Sequence, residues 1–400
     1  MSDTWAMCTV GPRIHELAKS TLPAGLADPQ GVYPFYCSSP DVKRIDRVLA
    51  DMPAVLMGTG GIASVHYASG PFAYSTDTWA FTSRDAQTDL RFLYRQFERL
   101  LPRIDFLGFG GSGLRHLNKG FIRQMVLPSP SPDVQAKVAQ VLDTLDAAIA
   151  QTEAIVAKLK AVKQGLLHDL LTRGIDANGE LRPPHSEAPR LYKQSELGWI
   201  PKEWEVRPLG ELAEVSRGKF THRPRNDPRY LGGRHPFIQT GDVAAAGGDY
   251  VSEYSQTLSD LGISVSQEFP AGTIAITIAA NIADTAILSI PMCFPDSVVG
   301  AVVHEPHNIR FVELSIRKAK RVLDARAPQS AQKNINLQDL RPLLLAVPHE
   351  SEQGSIAARY EALQARLEAE VQSASKQHSF KSGLMDDLLT GNVRVTGLIE

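Results

Sequence analysis

Four hundred residues allow two or more domains with substantial cores, and 43% hydrophobic with 22% charged is an ordinary balance for a folded chain. A formal net charge of −2 argues against a chain that binds polyanions over its whole surface, so any nucleic-acid contact must rest on local basic patches. Cys8, Cys37 and Cys293 are odd in number and lack C-x-x-C spacing, which argues against a disulfide framework or zinc site and for a reducing cytoplasm; no apolar run is long enough to span a membrane.

In chain order, residues 1–130 read as short strands between Gly/Pro/Ser turns, at 32–39, 54–61, 63–70 and 78–83, with one helix at 90–101 and a strand-like stretch at 121–127. The proline-rich run 127–132 breaks regular structure. A long helix follows in 131–175, with Asp133 as the expected N-cap and Gly174 as the C-cap. Within it Val138, Leu142, Leu145, Ile149, Thr152, Val156, Leu159, Lys163, Leu166 and Leu170 alternate four and three apart, the heptad of a coiled-coil seam. Residues 176–206 form a polar, proline-containing connector, too polar to contribute a core. Residues 207–348 again mix strands (235–243, 272–280, 285–290, 297–305) with a helix at 310–325. A second long helix occupies 349–400, with Ile356, Tyr360, Leu363, Leu367, Val371 and Ala374 on one face.

The two halves repeat. A shift of 218 residues aligns Lys163-Gln-Gly-Leu-Leu-His-Asp-Leu-Leu-Thr172 with Lys381-Ser-Gly-Leu-Met-Asp-Asp-Leu-Leu-Thr390. The same shift pairs Asn118 with Asn336, Arg123 with Arg341, Pro130 with Pro348 and Gln135 with Gln353. The expected fold is therefore α/β (α+β): two mixed, strand-rich domains separated by two long antiparallel coiled-coil helices, with an internal pseudo-twofold repeat. Such a dyad suits a near-twofold partner such as duplex DNA. Val134, Val141, Ala148, Ile155 and Val162 widen the stripe beyond one seam, and the repeated helix ends offer two equal docking sites for two copies of one partner.

Gly108-Phe-Gly-Gly-Ser-Gly113 satisfies G-x-G-x-x-G, but a dinucleotide site needs a strand before it and a helix after it. A plain glycine loop is the better reading, with backbone N–H groups near a phosphate as a third. Walker A, G-x-S-x-G and H-E-x-x-H motifs are absent. Basic residues concentrate at Arg217, Lys219, His222, Arg223, Arg225, Arg229 and Arg234, in a loop whose charges could follow a phosphate backbone or be merely solvated. Ser112, Arg115, His116 and Lys119 accompany the glycine loop, and Gln332 and Lys333 its equivalent. Gln239, Thr240, Asn281, Gln332 and Asn334 are polar side chains suited to base edges.

Residues 127–184 (LPSPSPDVQAKVAQVLDTLDAAIAQTEAIVAKLKAVKQGLLHDLLTRGIDANGELRPP), 197–219 (LGWIPKEWEVRPLGELAEVSRGK), PFIQTGDV and SAQKNINLQDLRPLLLAVP resemble the specificity subunit of type I restriction–modification systems. The first domain opens atypically, with Trp5 in the place of Trp204. The resemblance implies a non-catalytic DNA-binding subunit: target-recognition domains at 1–130 and 207–348 each read half of a bipartite site, and the helices set the gap. It also implies two methyltransferase subunits and restriction/translocase subunits as partners, which would hold the S-adenosylmethionine, ATP and Mg²⁺; none of these cofactors is expected in this chain. The rival readings are a structural coiled-coil adaptor and a nuclease built around Asp296 and His304.

Overall fold

A computed structural model describes residues 5–111, 113, 115–279, 282–326 and 334–395. The chain separates into two compact units, Met1–Ile155 with Glu370–Glu400, and Val156–Ala369. Among the described residues no helix is long and apolar enough to cross a membrane.

In the first unit a four-stranded antiparallel sheet runs Ile14–Glu16, Thr78–Ser83, Ala54–Gly58, Val65–Ala68. Alternate residues of its central strands face opposite layers, as a two-residue period requires. Val55, Met57, Trp79 and Phe81 enter a core shared with the helix Leu90–Leu107. Ala54, Leu56 and Ala80 enter another with Tyr36, Phe72 and Tyr74 of a second sheet, ordered Lys43–Ile45, Tyr33–Tyr36, Pro71–Tyr74, Ala50–Asp51. The second unit repeats this three-layer plan. Ile274, Ile276, Val299 and Ala301 face the layer of the helix Ile309–Arg326, and Ala275, Ala286, Leu288 and Val298 face Phe269 and Phe294.

The long helices are Pro132–Thr172 and Glu350–Thr390. The first begins one residue before Asp133, which lies in the first turn rather than capping it; Ser131 O accepts from Gln135 N at 3.0 Å. Every predicted seam residue of the central helix is buried or half-buried. On the C-terminal helix the stripe is Gln353, Ile356, Tyr360, Leu363, Leu367, Glu370, Ala374, Gln377, Lys381, Leu384 and Leu388, all buried or half-buried. Val371, expected on this face, is 44% exposed, because the unbroken heptad places Glu370 there. Shifted by 218, this stripe coincides with the central one, starting from Gln135.

Within each unit the two helical segments run antiparallel. In the first, Leu142 shares a core with Met385 and Leu388, Asp146 meets Lys381 at 2.7 Å and Glu153 meets His378 at 3.0 Å. In the second, Lys163 bonds Gln364 and lies 5.0 Å from the Tyr360 ring centroid, while Leu170 shares a core with Ile356. Lys163 with Gln364 and Lys381 with Asp146 are one contact written twice at the repeat spacing.

Three local expectations change. Residues 119–124 form a helix, not a strand, because Asn118 caps it at Phe121 N (3.1 Å); only Val126–Pro128 is extended. The strand expected over 235–243 ends at Phe237, and the helix Thr240–Ala246 follows, with Asp242 accepting from Gln239 N at 2.6 Å. The helix at 90 continues past Pro102 to Leu107, its last turns held by fully buried Ile104.

The connector also contributes a core, against expectation. Trp204 is fully buried among Leu170, Leu171 and Ile356. Trp5 takes the matching place beside Phe92 and Leu389. The match extends along the chain. Val10 N donates to Met125 O (3.0 Å) as Leu209 N donates to Leu343 O (2.8 Å), and Met7–Thr9 pairs with Val126–Pro128 as Glu205–Pro208 pairs with Leu344–Val347.

Gly174, with φ of +65°, ends the central helix against this tryptophan; an added Cβ would lie 2.5 Å from the Trp204 ring. Gly179 has φ of +83° with open space around it. Gly179→Ala should therefore cost about 1 kcal/mol of backbone strain, and Gly174→Ala about 2–4 kcal/mol because a rigid, buried ring must also move. Denaturant unfolding of the two variants checks the ordering.

Candidate nucleic-acid interface

At one edge of each main sheet the strand ends gather loops from distant parts of the chain. In the first unit Thr59 N donates to Asp77 O (2.9 Å), Leu117 N to Thr59 O (3.0 Å), and Gly60 bridges His116. In the second, Ile278 N donates to Ser297 O (3.1 Å), Ile335 N to Ile278 O (3.0 Å), and Ala279 bridges Asn334. The same backbone wiring recurs at offsets of 218 to 220 residues; in the first unit Ser38 Oγ adds bonds to Gly60 O (2.6 Å) and from Gly60 N (3.0 Å).

The glycine loop belongs to this cluster. It follows a helix and turns between the paired segments Phe109–Gly110 and His116–Leu117, the reverse of the strand-then-helix order a dinucleotide site requires. His116 is exposed on the hairpin. Arg115 is held by Asp105 at 3.0 Å and lies over the Phe109 ring. The Asp105 carboxyl is in turn held below its usual range, first by the Ala63 N–H and then by Arg115. Lys119 lies instead over Trp79 (5.4 Å), near the Arg123–Glu16 pair, and burial lowers its pKa. Ser112 lies outside the described residues, as do Asn281, Gln332 and Lys333.

The basic stretch of the second unit is less free than its composition suggests. Arg225 pairs with Asp296 at 2.6 Å; Arg223 is 3.8 Å from the same carboxylate and donates to the carbonyls of Phe220 and His222. Arg229 pairs with Asp227 at 2.7 Å and, chiefly through that bond, holds its carboxyl well below the usual range. His222 stacks on Tyr230 at 3.8 Å and contacts Asp227. Arg234 reaches Asp260 at 3.4 Å.

Arg217 and Lys219 remain exposed, with no ion-pair partner among the described residues. Between them Gly218 presses on the Phe294–Pro295 backbone, where an added Cβ would come within 2.4 Å. This fixes the two cations beside the turn that carries Asp296. Asn334 is exposed at its bridge. Thr240 is half-buried at the start of a helix, and Gln239 spends its amide on Gln256 (3.0 Å).

Asp296 and His304, the pair behind the nuclease reading, have separate partners: Asp296 the arginines above, His304 the Glu211 carbonyl at 3.4 Å.

Each domain also meets its long helix through a joint the sequence reading passed over. Asp89 caps the helix Leu90–Leu107 and Asn308 caps Ile309–Arg326. Behind these caps lie fully buried Gln135 and Gln353. The signal was available: Leu90-Arg-Phe-Leu93 and Ile309-Arg-Phe-Val312 repeat at a spacing of 219.

The family described as "Type I restriction modification DNA specificity domain" matches residues 13–161 and 201–374. The chain belongs to the type I restriction–modification DNA specificity family. Among curated relatives, the type I restriction enzyme MjaVIII specificity subunit of Methanocaldococcus jannaschii is 25% identical over 303 residues, 72% of this chain and 67% of that protein. The EcoDI specificity subunit of Escherichia coli is 25% identical over 283 residues, 68% of this chain and 61% of that protein. The alignments thus span only about three-fifths to two-thirds of these relatives. The crystal structure of a type I restriction–modification S subunit from M. genitalium shares the fold, with a TM-score of 0.65 at 14% identity over 97% of both chains. Neither the adaptor nor the nuclease reading gains support from these family relationships.

For a member of this family, salt-dependent duplex binding discriminates between free and neutralised cations. Arg217→Ala with Lys219→Ala should lower the slope of log affinity against log salt by about two. Arg229→Ala should leave it nearly unchanged, because Asp227 already neutralises that guanidinium. Titration at several salt concentrations reads both.

Proposed function

We propose that the chain is the sequence-specificity subunit of a type I restriction–modification complex, acting in the cytoplasm and carrying no catalytic step itself. The observation that carries this reading is the duplicated loop cluster, built by identical backbone wiring in two units of one chain. Each cluster reads one half of a bipartite duplex site: phosphate contacts set register and polar side chains meet base edges. The paired helices set the unread gap between the halves. Inserting one heptad into both helices, at residues equivalent under the repeat, lengthens each by roughly 10 Å, about three base-pair steps at 3.4 Å. Methylome sequencing should find a longer gap and unaltered half-sites; altered half-sites with the original gap would refute the ruler.

Two methyltransferase subunits bring S-adenosylmethionine, and restriction/translocase subunits bring ATP and Mg²⁺ chemistry. Their attachment is supported by features that the pair's own packing does not require. Val162 and Phe380, equivalent under the repeat, are 46% and 62% exposed. Three residues on, Gly165 and Gly383 lie inside the continuous helices, and an added Cβ at either would meet nothing within 4 Å. Glycine in a helix interior costs about 1 kcal/mol relative to alanine, and the chain's own packing gives no steric reason for it. A partner backbone seated close against each glycine supplies one. Gly165→Leu or Gly383→Leu should stabilise the isolated chain by roughly 0.5–1 kcal/mol while removing one methyltransferase subunit each. Native mass spectrometry of the co-expressed complex counts the copies; two copies retained by the double variant would contradict this docking site.

A further inference from the structure

Gln135 and Gln353 lie in the first turns of the two long helices, fully buried, with every polar atom engaged. Gln135 Nε2 donates to Pro130 O (2.8 Å) and Gln87 O (2.9 Å), and its Oε1 accepts from Asp89 N (3.0 Å). Gln353 Nε2 donates to Pro348 O (3.0 Å) and to His307 Nδ1 (3.1 Å), and its Oε1 accepts from Asn308 N (3.0 Å). One amide therefore ties three things in each unit: the proline ahead of the long helix, the segment leading into the domain helix, and the N-cap of that helix.

Around this amide the remaining contacts are apolar packing and ion pairs. Phe92 packs on Val138, Ala139 and Leu142, and Phe311 shares a core with Ile356 and Tyr360. Arg91 reaches Asp143 (3.4 Å) as Arg310 reaches Glu361 (3.2 Å). Buried Arg95 also holds Asp143 and Asp146 at 2.6 Å each; apolar contacts tolerate rotation and sliding, and ion pairs with part-exposed carboxylates can follow a small pivot. A buried primary amide with all its hydrogen bonds made accepts only one orientation of its neighbours, since turning it would strand a desolvated donor or acceptor.

We infer that Gln135 and Gln353 are positioning residues that set the angle of each recognition domain on its long helix, and through it the gap between half-sites that the complex accepts. The inference rests on the specificity-subunit reading above. A domain free to pivot still presents the same loops to its half-site but reaches it at neighbouring spacings.

The test uses the full chain co-expressed with its methyltransferase. Methylome sequencing first establishes the wild-type site; absence of any bipartite site would sink the specificity reading itself, independently of the latch. A plasmid library then carries the two half-sites at the native gap and at gaps one to three base pairs shorter or longer. Gln135→Met and Gln353→Met keep side-chain length and remove every latch bond. Each should reduce discrimination between the native gap and its immediate neighbours about tenfold, on the scale of one mismatched base pair, with half-site sequences unchanged. His307→Leu, which removes one bond of the second latch, should give a smaller broadening in the same direction. Val55→Ala, a cavity in the first-unit core away from the joint, controls for lost stability and should leave gap selectivity intact. Wild-type gap selectivity in the glutamine variants would overturn the inference. So would an equal loss of methylation at all gaps in both Gln353→Met and His307→Leu, since that is what a merely structural role predicts.

Discussion

A single heptad stripe, carried in the same register by both 41-residue helices, is the constraint on which the remaining architecture depends. Apolar positions alone would hold two such helices together while leaving them free to slide by a turn. The polar residues on the stripe remove that freedom. Lys163 finds Gln364 and the face of Tyr360; Lys381 finds Asp146 and Glu98 at 2.7 and 2.8 Å. Slipped by one turn, each ammonium would lose the partners it has in this register. Polar groups on a coiled-coil seam exchange some stability for register in this way. A slipped pair would have a different length, so these contacts fix the length of the pair.

Charge in the recognition loops follows a related logic. Asp227, Asp260 and Asp296 neutralise arginines that composition alone would count as free, and the whole chain carries only −2. Free cations bind any duplex through counterion release, with no regard for sequence. A reader with all seven basic residues of that stretch unpaired would be held on non-specific DNA. Pairing most of them leaves Arg217 and Lys219 as exposed cations with no ion-pair partner among the described residues.

Much of the fold was legible because it follows period. Seven-residue spacing marked both long helices and short apolar runs marked the sheet strands, Thr78–Ser83 to the residue. Reading failed where a partner is remote in sequence. Nothing near Arg225 announces that Asp296 will neutralise it, 71 residues away. Trp204 sits in a proline-rich connector whose composition denies it a core, yet the helix ends and Ile356 bury it. Val371 looked like a seam residue because it is apolar, although strict heptad counting assigns the seam to Glu370. Residues 121–127 looked extended, and the Asn118 cap overrode that over 121–124. For the recognition loops the sequence signals polar character and nothing more, since whether Gln239 faces a base or Gln256 depends on a few ångströms of backbone placement.

The same loops show how one scaffold can present two different sets of side chains. Their wiring joins backbone N–H and C=O groups, Leu117 to Thr59 and Ile335 to Ile278, and these groups are indifferent to the side chains they carry. Side chains that take no part in these bonds can therefore differ between the two units, and they do. His116 stands where the second unit has Asn334. Histidine and asparagine at one bridge position offer different hydrogen-bonding patterns to a base edge. Fixed backbone with variable side chains lets two loop clusters of one build present different side chains.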